Sequence, residues 1–451
     1  MEIVLVGAGD VGRYLAEVLR DAGHAVTMVE RDPAVARPLD EALDVRVRVG
    51  EGNRATVLKA AGVGAGTAFL ALTRDDATNL VACALAQALG AGPVISRIHD
   101  QTMLDHAHVN YPVRFGIDTM LNPEALCALE LAKAIRNPAR ISVEAFARGQ
   151  IEAQRLRMAA GASWKGKALR DLRLPGSVRI GFVEHGDRHD VPEADTVLEP
   201  GDWVTVFGPP ADLAKLRGKF DPAASGGGAR VVILGGGETG VSLARLLNHP
   251  RFRVRLIEQR PERARSLAEA FPRMTILSGD GASLRLMEEE QIGAADYFVA
   301  ATGSDERNVM TAIQAHQLGT RHVQAVVNKA DYEAILHNLQ GALGLAQIVS
   351  PRVVTAREVQ RALSTAPYLE LPGFAEQAAR ILEFRIADQA PAVGKKLRDC
   401  TWPRGSVAVA LLHKFHTKVP TADDVLLGGD RVVCITREDN IAALRDLLHP
   451  A

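Results

Sequence analysis

An excess of charge of either sign is missing from this chain: 53 Lys and Arg stand against 54 Asp and Glu, a formal balance of −1. Such a balance leaves no electrostatic footprint for nucleic acid or for an anionic membrane surface, so no nucleic-acid partner is expected. Cysteine is scarce. Cys83, Cys127, Cys400 and Cys434 are scattered without a C-x-x-C pair, which points to buried apolar thiols in a reducing cytosol and away from a disulfide or zinc framework. No uninterrupted apolar run approaches the roughly 20 residues of a spanning helix, and no charged leader precedes an apolar stretch, since the sequence opens in a strand pattern at Glu2-Ile3-Val4. The expectation is a chain soluble by itself.

Catalytic and metal signatures are equally thin. Gly166-Lys167 and Gly394-Lys395 lack the upstream glycine spacing of a phosphate-binding P-loop. Neither a G-x-S-x-G elbow nor an H-E-x-x-H pair occurs. His106-Ala107-His108, with His99 nearby, has the look of a metal cluster, but no thiolates or carboxylates accompany it in the second half. An exposed polar turn is the expected reading there, as it is for His413 and His416, and no metal site is expected.

What is present is a duplicated glycine fingerprint. Val4-Leu5-Val6-Gly7-Ala8-Gly9-Asp10-Val11-Gly12 runs on to Glu30, and Val232-Ile233-Leu234-Gly235-Gly236-Gly237-Glu238-Thr239-Gly240 runs on to Glu258, each key position displaced by 228 (7 to 235, 12 to 240, 30 to 258). Gly50-Glu51-Gly52 returns as Gly279-Asp280-Gly281, and Thr73 with Asn79 returns as Thr302 with Asn308. Gly166-Lys167-Ala168-Leu169-Arg170-Asp171 returns as Gly394-Lys395-Lys396-Leu397-Arg398-Asp399, and Gly201-Asp202 as Gly429-Asp430. Twice the offset nearly equals the chain length of 451 residues, so the chain is a tandem duplication.

Within each copy the pattern is short apolar strand, glycine turn, amphipathic helix and strand, an alternation that calls for a parallel sheet with helices on both faces. Strand candidates are Ile3 to Val6, Ala25 to Val29, Asp44 to Val49, Ala68 to Leu72 and Pro93 to Ile98, with a helix from Thr78 to Leu89. From about Ile141 to Lys219 short strands such as Gln154 to Met158, Val178 to Val183 and Trp203 to Phe207 alternate with Pro and Gly turns, as in a small α+β domain. A glycine-rich linker, Asp221 to Gly228, separates the halves. The expected fold class is therefore α/β, two tandem Rossmann-like doubly wound parallel sheets, each followed by a small α+β subdomain. The expected boundaries are 1–120, 140–220, 229–349 and 368–451.

In each fingerprint the first glycine permits a tight turn, the second lets the backbone approach a pyrophosphate, and the third lets the helix pack on the sheet. The helix N-terminus adds unpaired N–H groups and a positive dipole end. Glu30 and Glu258 fall where a carboxylate accepts both ribose hydroxyls and repels a 2′-phosphate, favouring NAD over NADP. Asp10 and Glu238 stand inside the turns, where a carboxylate near the phosphates argues for NAD or ADP over ATP unless it points to solvent. Arg97 could reach a phosphate, but its counterpart is Val326, so the two sites are not expected to be equivalent, and the second is the better candidate for a fold that has lost its ligand. Thr73 to Asn79 and Thr302 to Asn308 lie at the mouth where a Rossmann ligand binds, as ligand contacts or, through Asp76 or Asp305, as helix caps. The candidate cofactor-binding residues are thus Gly7, Ala8, Gly9, Asp10, Val11, Gly12, Glu30, Glu51, Thr73 and Arg97. Their second-half counterparts are Gly235, Gly236, Gly237, Glu238, Thr239, Gly240, Glu258, Asp280 and Thr302.

With these residues in view, the whole chain resembles the peripheral nucleotide-binding subunits of Trk potassium uptake systems, built from tandem regulator-of-conductance (RCK) domains. Val6 to Ala16 looks like that family's opening motif, and Gly394 to Asp399 with Gly429-Asp430 looks like its C-terminal subdomain signature. The resemblance implies a cytoplasmic protein, peripheral on the cytoplasmic face of the inner membrane, that assembles as a homo-oligomer, a tetramer being favoured. It further implies binding of NAD(H), ADP or ATP in the Rossmann subdomains and gating of an integral membrane potassium transporter of the TrkH/TrkG type. One element departs from the family: Gly50-Glu51-Gly52-Asn53 and Gly279-Asp280-Gly281-Ala282 replace its usual Gly-Asp-Ala-Thr.

The competing expectation is an NAD-dependent dehydrogenase with duplicated Rossmann domains. Such an enzyme needs a proton donor or acceptor near the nicotinamide. The regions after each Rossmann unit carry no Tyr-x-x-x-Lys pair, and we expect no histidine shared by the two repeats. Duplicated sites with duplicated small domains fit a switch better, so no enzymatic activity is expected. The helix from Pro123 to Ile135, with Leu126, Leu129, Ala132 and Ala134, is expected to seek a partner surface, in an oligomer or in its own half.

Overall fold

The computed structural model describes residues 1–104, 109–136, 144–146, 151–186, 188–222, 228–339, 341–364, 366–370, 379–413 and 416–450. His106, His108 and most of the glycine-rich linker lie outside the described residues. In chain order the first half contains β1 (Glu2–Val6), α1 (Asp10–Asp21), β2 (Ala25–Glu30), α2 (Pro33–Ala42), β3 (Arg46–Val49), α3 (Ala55–Ala60), β4 (Thr67–Ala71), α4 (Asp76–Ala88), β5 (Val94–Arg97), α5 (Tyr111–Phe115), β6 (Thr119–Leu121) and α6 (Pro123–Arg136). It continues through β7 (Glu144–Phe146), β8 (Ile151–Arg157), β9 (Arg179–His185), β10 (Arg188–Asp190), β11 (Trp203–Gly208) and α7 (Pro210–Phe220). The second half repeats the order with β12 (Ala229–Leu234), α8 (Glu238–Leu246), β13 (Phe252–Glu258), α9 (Pro261–Ala270), β14 (Thr275–Ser278), α10 (Leu284–Glu289), β15 (Tyr297–Ala300), α11 (Asp305–Gln317), β16 (His322–Val326), α12 (Ala330–Leu339), β17 (Gln347–Val349) and α13 (Pro351–Leu363). It ends in β18 (Tyr368–Glu370), β19 (Arg380–Arg385), β20 (Ser406–His413), β21 (His416–Lys418), β22 (Arg431–Thr436) and α14 (Ile441–Leu448).

Like packs with like across the repeats. One compact unit joins Met1–Ala132 to Gly228–Ser364, and the other joins Lys133–Gly227 to Thr365–Ala451. In the first unit each half forms a six-stranded parallel sheet, ordered β3-β2-β1-β4-β5-β6 and β14-β13-β12-β15-β16-β17. This is the doubly wound order, and its reversal between β1 and β4 opens the crevice in which Rossmann ligands sit. Ile3 to Val6 are all buried, as a strand covered on both faces requires.

The crossover helices are exchanged between the halves. Ala356, Val359 and Leu363 of α13 join Ile3, Leu5, Leu15 and Leu19 in a core of the first half. In return α6 lies against the second sheet, with Leu131 O accepting from Gln324 Nε2 at 3.4 Å and Cys127 Sγ 4.0 Å from Val349 O. The buried face of α6 is Cys127, Ala128, Leu131, Ala132 and Ile135, whereas Ala134 is exposed, so the expected stripe is rotated by about one residue. Its partner surface is the other half of the same chain.

The second unit contains two five-stranded sheets, ordered β10-β9-β11-β8-β7 and β18-β19-β22-β20-β21 and antiparallel throughout. They share a core in which Ile151, Phe182 and Phe207 meet Ile381, Val409 and Val433. The expectation that no histidine recurs in both repeats is wrong here. His185 Nδ1 lies 2.5 Å from Asp202 Oδ1, and its counterpart His413 Nδ1 lies 2.6 Å from Asp430 Oδ1. Each buried carboxylate also accepts a turn N–H, from Glu199 or Leu427, so the pair braces the Gly-Asp turn before β11 or β22.

Candidate nucleotide site

The first fingerprint forms because β1 ends in a left-handed Gly7, φ +102°, which turns the chain directly into α1. Gly9 is the N-cap of α1 and offers its first-turn amides no side-chain oxygen. A Cβ on Gly9 would meet nothing within 4 Å, so that face of the turn is open to a ligand. A Cβ on Gly12 would sit 2.0 Å from Gly7 O, so the third glycine holds helix against turn. The Glu30 carboxylate, at the end of β2, accepts from Ala8 N–H at 2.8 Å and Asp32 N–H at 3.0 Å. Each oxygen retains acceptor capacity for a ribose hydroxyl.

Across the crevice Thr73 donates through both its N–H, at 3.0 Å, and its hydroxyl, at 2.7 Å, to Asn79 Oδ1. Asn79 Nδ2 in turn donates to Thr73 O and Arg97 O, tying the ends of β4 and β5 together. The cap of α4 is Asp75, accepting Thr78 N–H at 2.6 Å, and not Asp76. Asp76 instead accepts the N–H groups of His99 and Asp100, and Asp305 does the same for Asn328 and Lys329. Arg97 is engaged by Glu124 of α6 at 2.9 Å, which leaves its guanidinium facing the cavity but already neutralised.

A cavity of about 930 Å³ covers this surface, and every first-half candidate lines it: Gly7, Ala8, Gly9, Asp10, Val11, Gly12, Glu30, Glu51, Thr73 and Arg97. Such a volume holds a dinucleotide-sized ligand. Sequence reasoning missed Arg31, His99 and Glu124 on the same wall, whereas Thr78 falls in the expected stretch Thr73 to Asn79. It also missed Asn328, Lys329 and Arg352, contributed by the second half, and that Ser304 and Glu306 of the expected stretch Thr302 to Asn308 face this cavity. The loop after a fifth Rossmann strand could have pointed to His99, but no local signal marks residues that reach the site only through packing of the repeats. The open face at Gly9, the uncapped helix start and the carboxylate at Glu30 together fit an adenosine nucleotide.

The second fingerprint has the same backbone and different surroundings. A Cβ on Gly240 would lie 1.9 Å from Gly235 O, and Glu258 Oε2 accepts Gly236 N–H at 3.0 Å. None of Gly235, Gly236, Gly237, Glu238, Thr239, Gly240, Glu258, Asp280 or Thr302 lines the cavity. Glu258 is buried and also accepts from Arg260, through N–H at 2.9 Å and Nε at 3.3 Å. Burial pushes its carboxyl up, but the Arg260 and Gly236 donors outweigh this and hold it below the usual carboxylate range. A depressed folded value means that the stabilisation is complete above the unfolded value of about 4.3 and is lost as pH falls through the folded one. Thermal midpoints of the chain and of Glu258→Gln are therefore expected to differ at neutral pH and to converge in acid. A constant gap would show that the carboxylate is not held by these donors.

The departure after the third strand also has a physical cause. A Cβ on Gly52 would lie 2.1 Å from Val6 Cγ1, and one on Gly281 would lie 2.2 Å from Leu234 Cδ1. Large side chains at the ends of β1 and β12 occupy the room that an alanine there needs.

Comparison with known proteins agrees with this architecture. The TrkA-N domain matches residues 3–123 and 231–351, and the TrkA-C domain matches 154–221 and 381–449. The Trk system potassium uptake protein TrkA homolog of Archaeoglobus fulgidus is 31% identical over 448 residues, covering 99% of this chain and 100% of that protein. The GsuK RCK domain has a TM-score of 0.57 at 17% identity, over 99% of this chain and 94% of that one. The GsuK channel bound to NAD has the same score and identity over 99% and 78%. At such identity the two structures establish the fold, the duplicated Rossmann-like sheets with their small α+β subdomains. The sequence matches establish the family: this chain belongs to the TrkA family.

Proposed function

We propose that this chain is the regulatory subunit of a Trk-type potassium uptake system, binding NAD(H), ADP or ATP on its first fingerprint and gating a membrane transporter through a nucleotide-dependent change of conformation. The observation that carries the proposal is a cavity walled by both halves, by Gly9 and Glu30 of the first and by Glu306 and Lys329 of the second. A ligand held between two bodies binds with an energy that depends on their arrangement, and only such differential affinity shifts a conformational equilibrium. Among the described residues no helix is long and apolar enough to cross a membrane, so conduction falls to a partner of the TrkH/TrkG type. The names of the relatives and the NAD-bound channel neighbour support that assignment. A place on the cytoplasmic face of the inner membrane and a homo-oligomer, with a tetramer favoured, follow from the family resemblance.

The test is potassium flux through the purified transporter reconstituted with this subunit in NADH, ADP, ATP or no nucleotide. Flux is expected to differ between at least two of these conditions. Equal flux in all four defeats the gating reading even where binding is measured.

A further inference from the structure

We propose that the second fingerprint is closed to adenosine nucleotides by the side chain of Arg307, so that the chain takes up one nucleotide, on its first half. The inference rests on the reading that the first fingerprint binds such nucleotides. Three positions in the first half, Arg31, Glu51 and Thr78, line the open cavity. Their counterparts in the second half are Gln259 (31 plus 228), Asp280 (51 plus 229) and Arg307 (78 plus 229). There the three are tied together: the Arg307 guanidinium donates to Asp280 Oδ1 and, at 3.2 Å, to Gln259 Oε1.

Gln259 and Asp280 follow the C-terminal ends of β13 and β14, the edge of a Rossmann crevice that receives the adenosine. The Arg307 arm crosses that edge from α11 and is largely withdrawn from solvent, its side chain 28% exposed. Thr78 has no such reach. Glu51 pairs instead with Arg54 of its own loop at 2.8 Å. The ribose end is also more heavily committed, since Glu258 Oε1 accepts two bonds from Arg260 where Glu30 Oε1 accepts one from Asp32. An incoming adenosine would have to break the charge-assisted bond of Arg307 to Asp280 and its bond to Gln259 before making any of its own.

Equilibrium dialysis of the full chain against radiolabelled ADP, repeated with NADH, tests the closure. The expected stoichiometry is one ADP per chain for the wild type and two for Arg307→Thr. It should fall back to one when Glu258→Ala is added to Arg307→Thr, whereas Glu258→Ala alone should leave the wild-type value unchanged. Should Arg307→Thr fail to fold, judged by its thermal midpoint, Asp280→Ala releases the same arm without altering α11 and is expected to give two. An Arg307→Thr chain, or in its place an Asp280→Ala chain, that folds and binds no more ADP than wild type overturns the proposal, as does a wild-type chain that loses one equivalent on Glu258→Ala. A wild-type chain binding no nucleotide refutes the first-site reading instead, while one ADP gained by Arg307→Thr and lost again with Glu258→Ala still upholds the closure.

Discussion

Gly9→Val and Gly12→Ala are expected to fail in opposite ways. At Gly9 a Cβ meets nothing within 4 Å, so the fold should persist with an unchanged unfolding midpoint. The added side chain stands where a pyrophosphate would approach the first-turn amides. Loss of one or two charge-assisted hydrogen bonds should weaken ADP or NADH binding by about 100-fold, or ~2.7 kcal/mol. At Gly12 the Cβ would fall 2.0 Å from Gly7 O, an overlap with backbone that no side-chain rotation relieves. The turn or the helix must move, at a cost of about 3 kcal/mol or more, read as a lowered denaturation midpoint. Titration calorimetry and urea unfolding separate the two. The assignment fails if Gly9→Val binds normally, and the packing argument fails if Gly12→Ala is as stable as the parent.

The contrast explains what could be read from the sequence. The glycine spacing, the apolar run Ile3 to Val6 and the acid at Glu30 act over a few residues, and each dictates a local geometry that the structure reproduces as β1, its turn and β2. The exchange of crossover helices was not legible. Ala356, Val359 and Leu363 have the same spacing whether α13 packs on its own sheet or on that of the other repeat, and the repeats are similar enough to offer either surface. Arg307 was hidden for a different reason. Against Thr78 it reads as an ordinary change on a helix start, and only the approach of Asp280 and Gln259 gives it a role. The caps show the limit of residue-type reasoning: Asp75 and Asp76 are adjacent and chemically identical, yet one caps α4 and the other reaches across to His99.

Lys329→Ala is expected to flatten the nucleotide response of potassium flux more than it weakens nucleotide binding. Lys329 Nζ donates to Glu306 Oε1 at 2.8 Å, and both residues face the cavity from the second half. The Lys329 hydrogen bond, with those from Ser304 Oγ and Tyr332 OH, holds the Glu306 carboxyl down at about 2, so the pair is fully charged at neutral pH. A phosphate entering the cavity competes with that carboxylate for the ammonium, and the outcome depends on how close the second half stands to the first. In the proposed function, contacts of the nucleotide to Gly9 and Glu30 would be made within one half and kept in every arrangement, so they would add affinity without preference. Contacts to Lys329 would vary with the arrangement, and a ligand that binds two states equally shifts neither. Glu30→Ala should therefore raise the nucleotide concentration needed while keeping the flux ratio at saturation. Lys329→Ala should bring that ratio down towards unity, from a coupling that in typical regulated proteins amounts to about 5–150-fold. Flux measured at saturating NADH, ADP and ATP for both variants decides the matter, and a Lys329→Ala subunit that keeps the full ratio places the coupling elsewhere in the cavity wall.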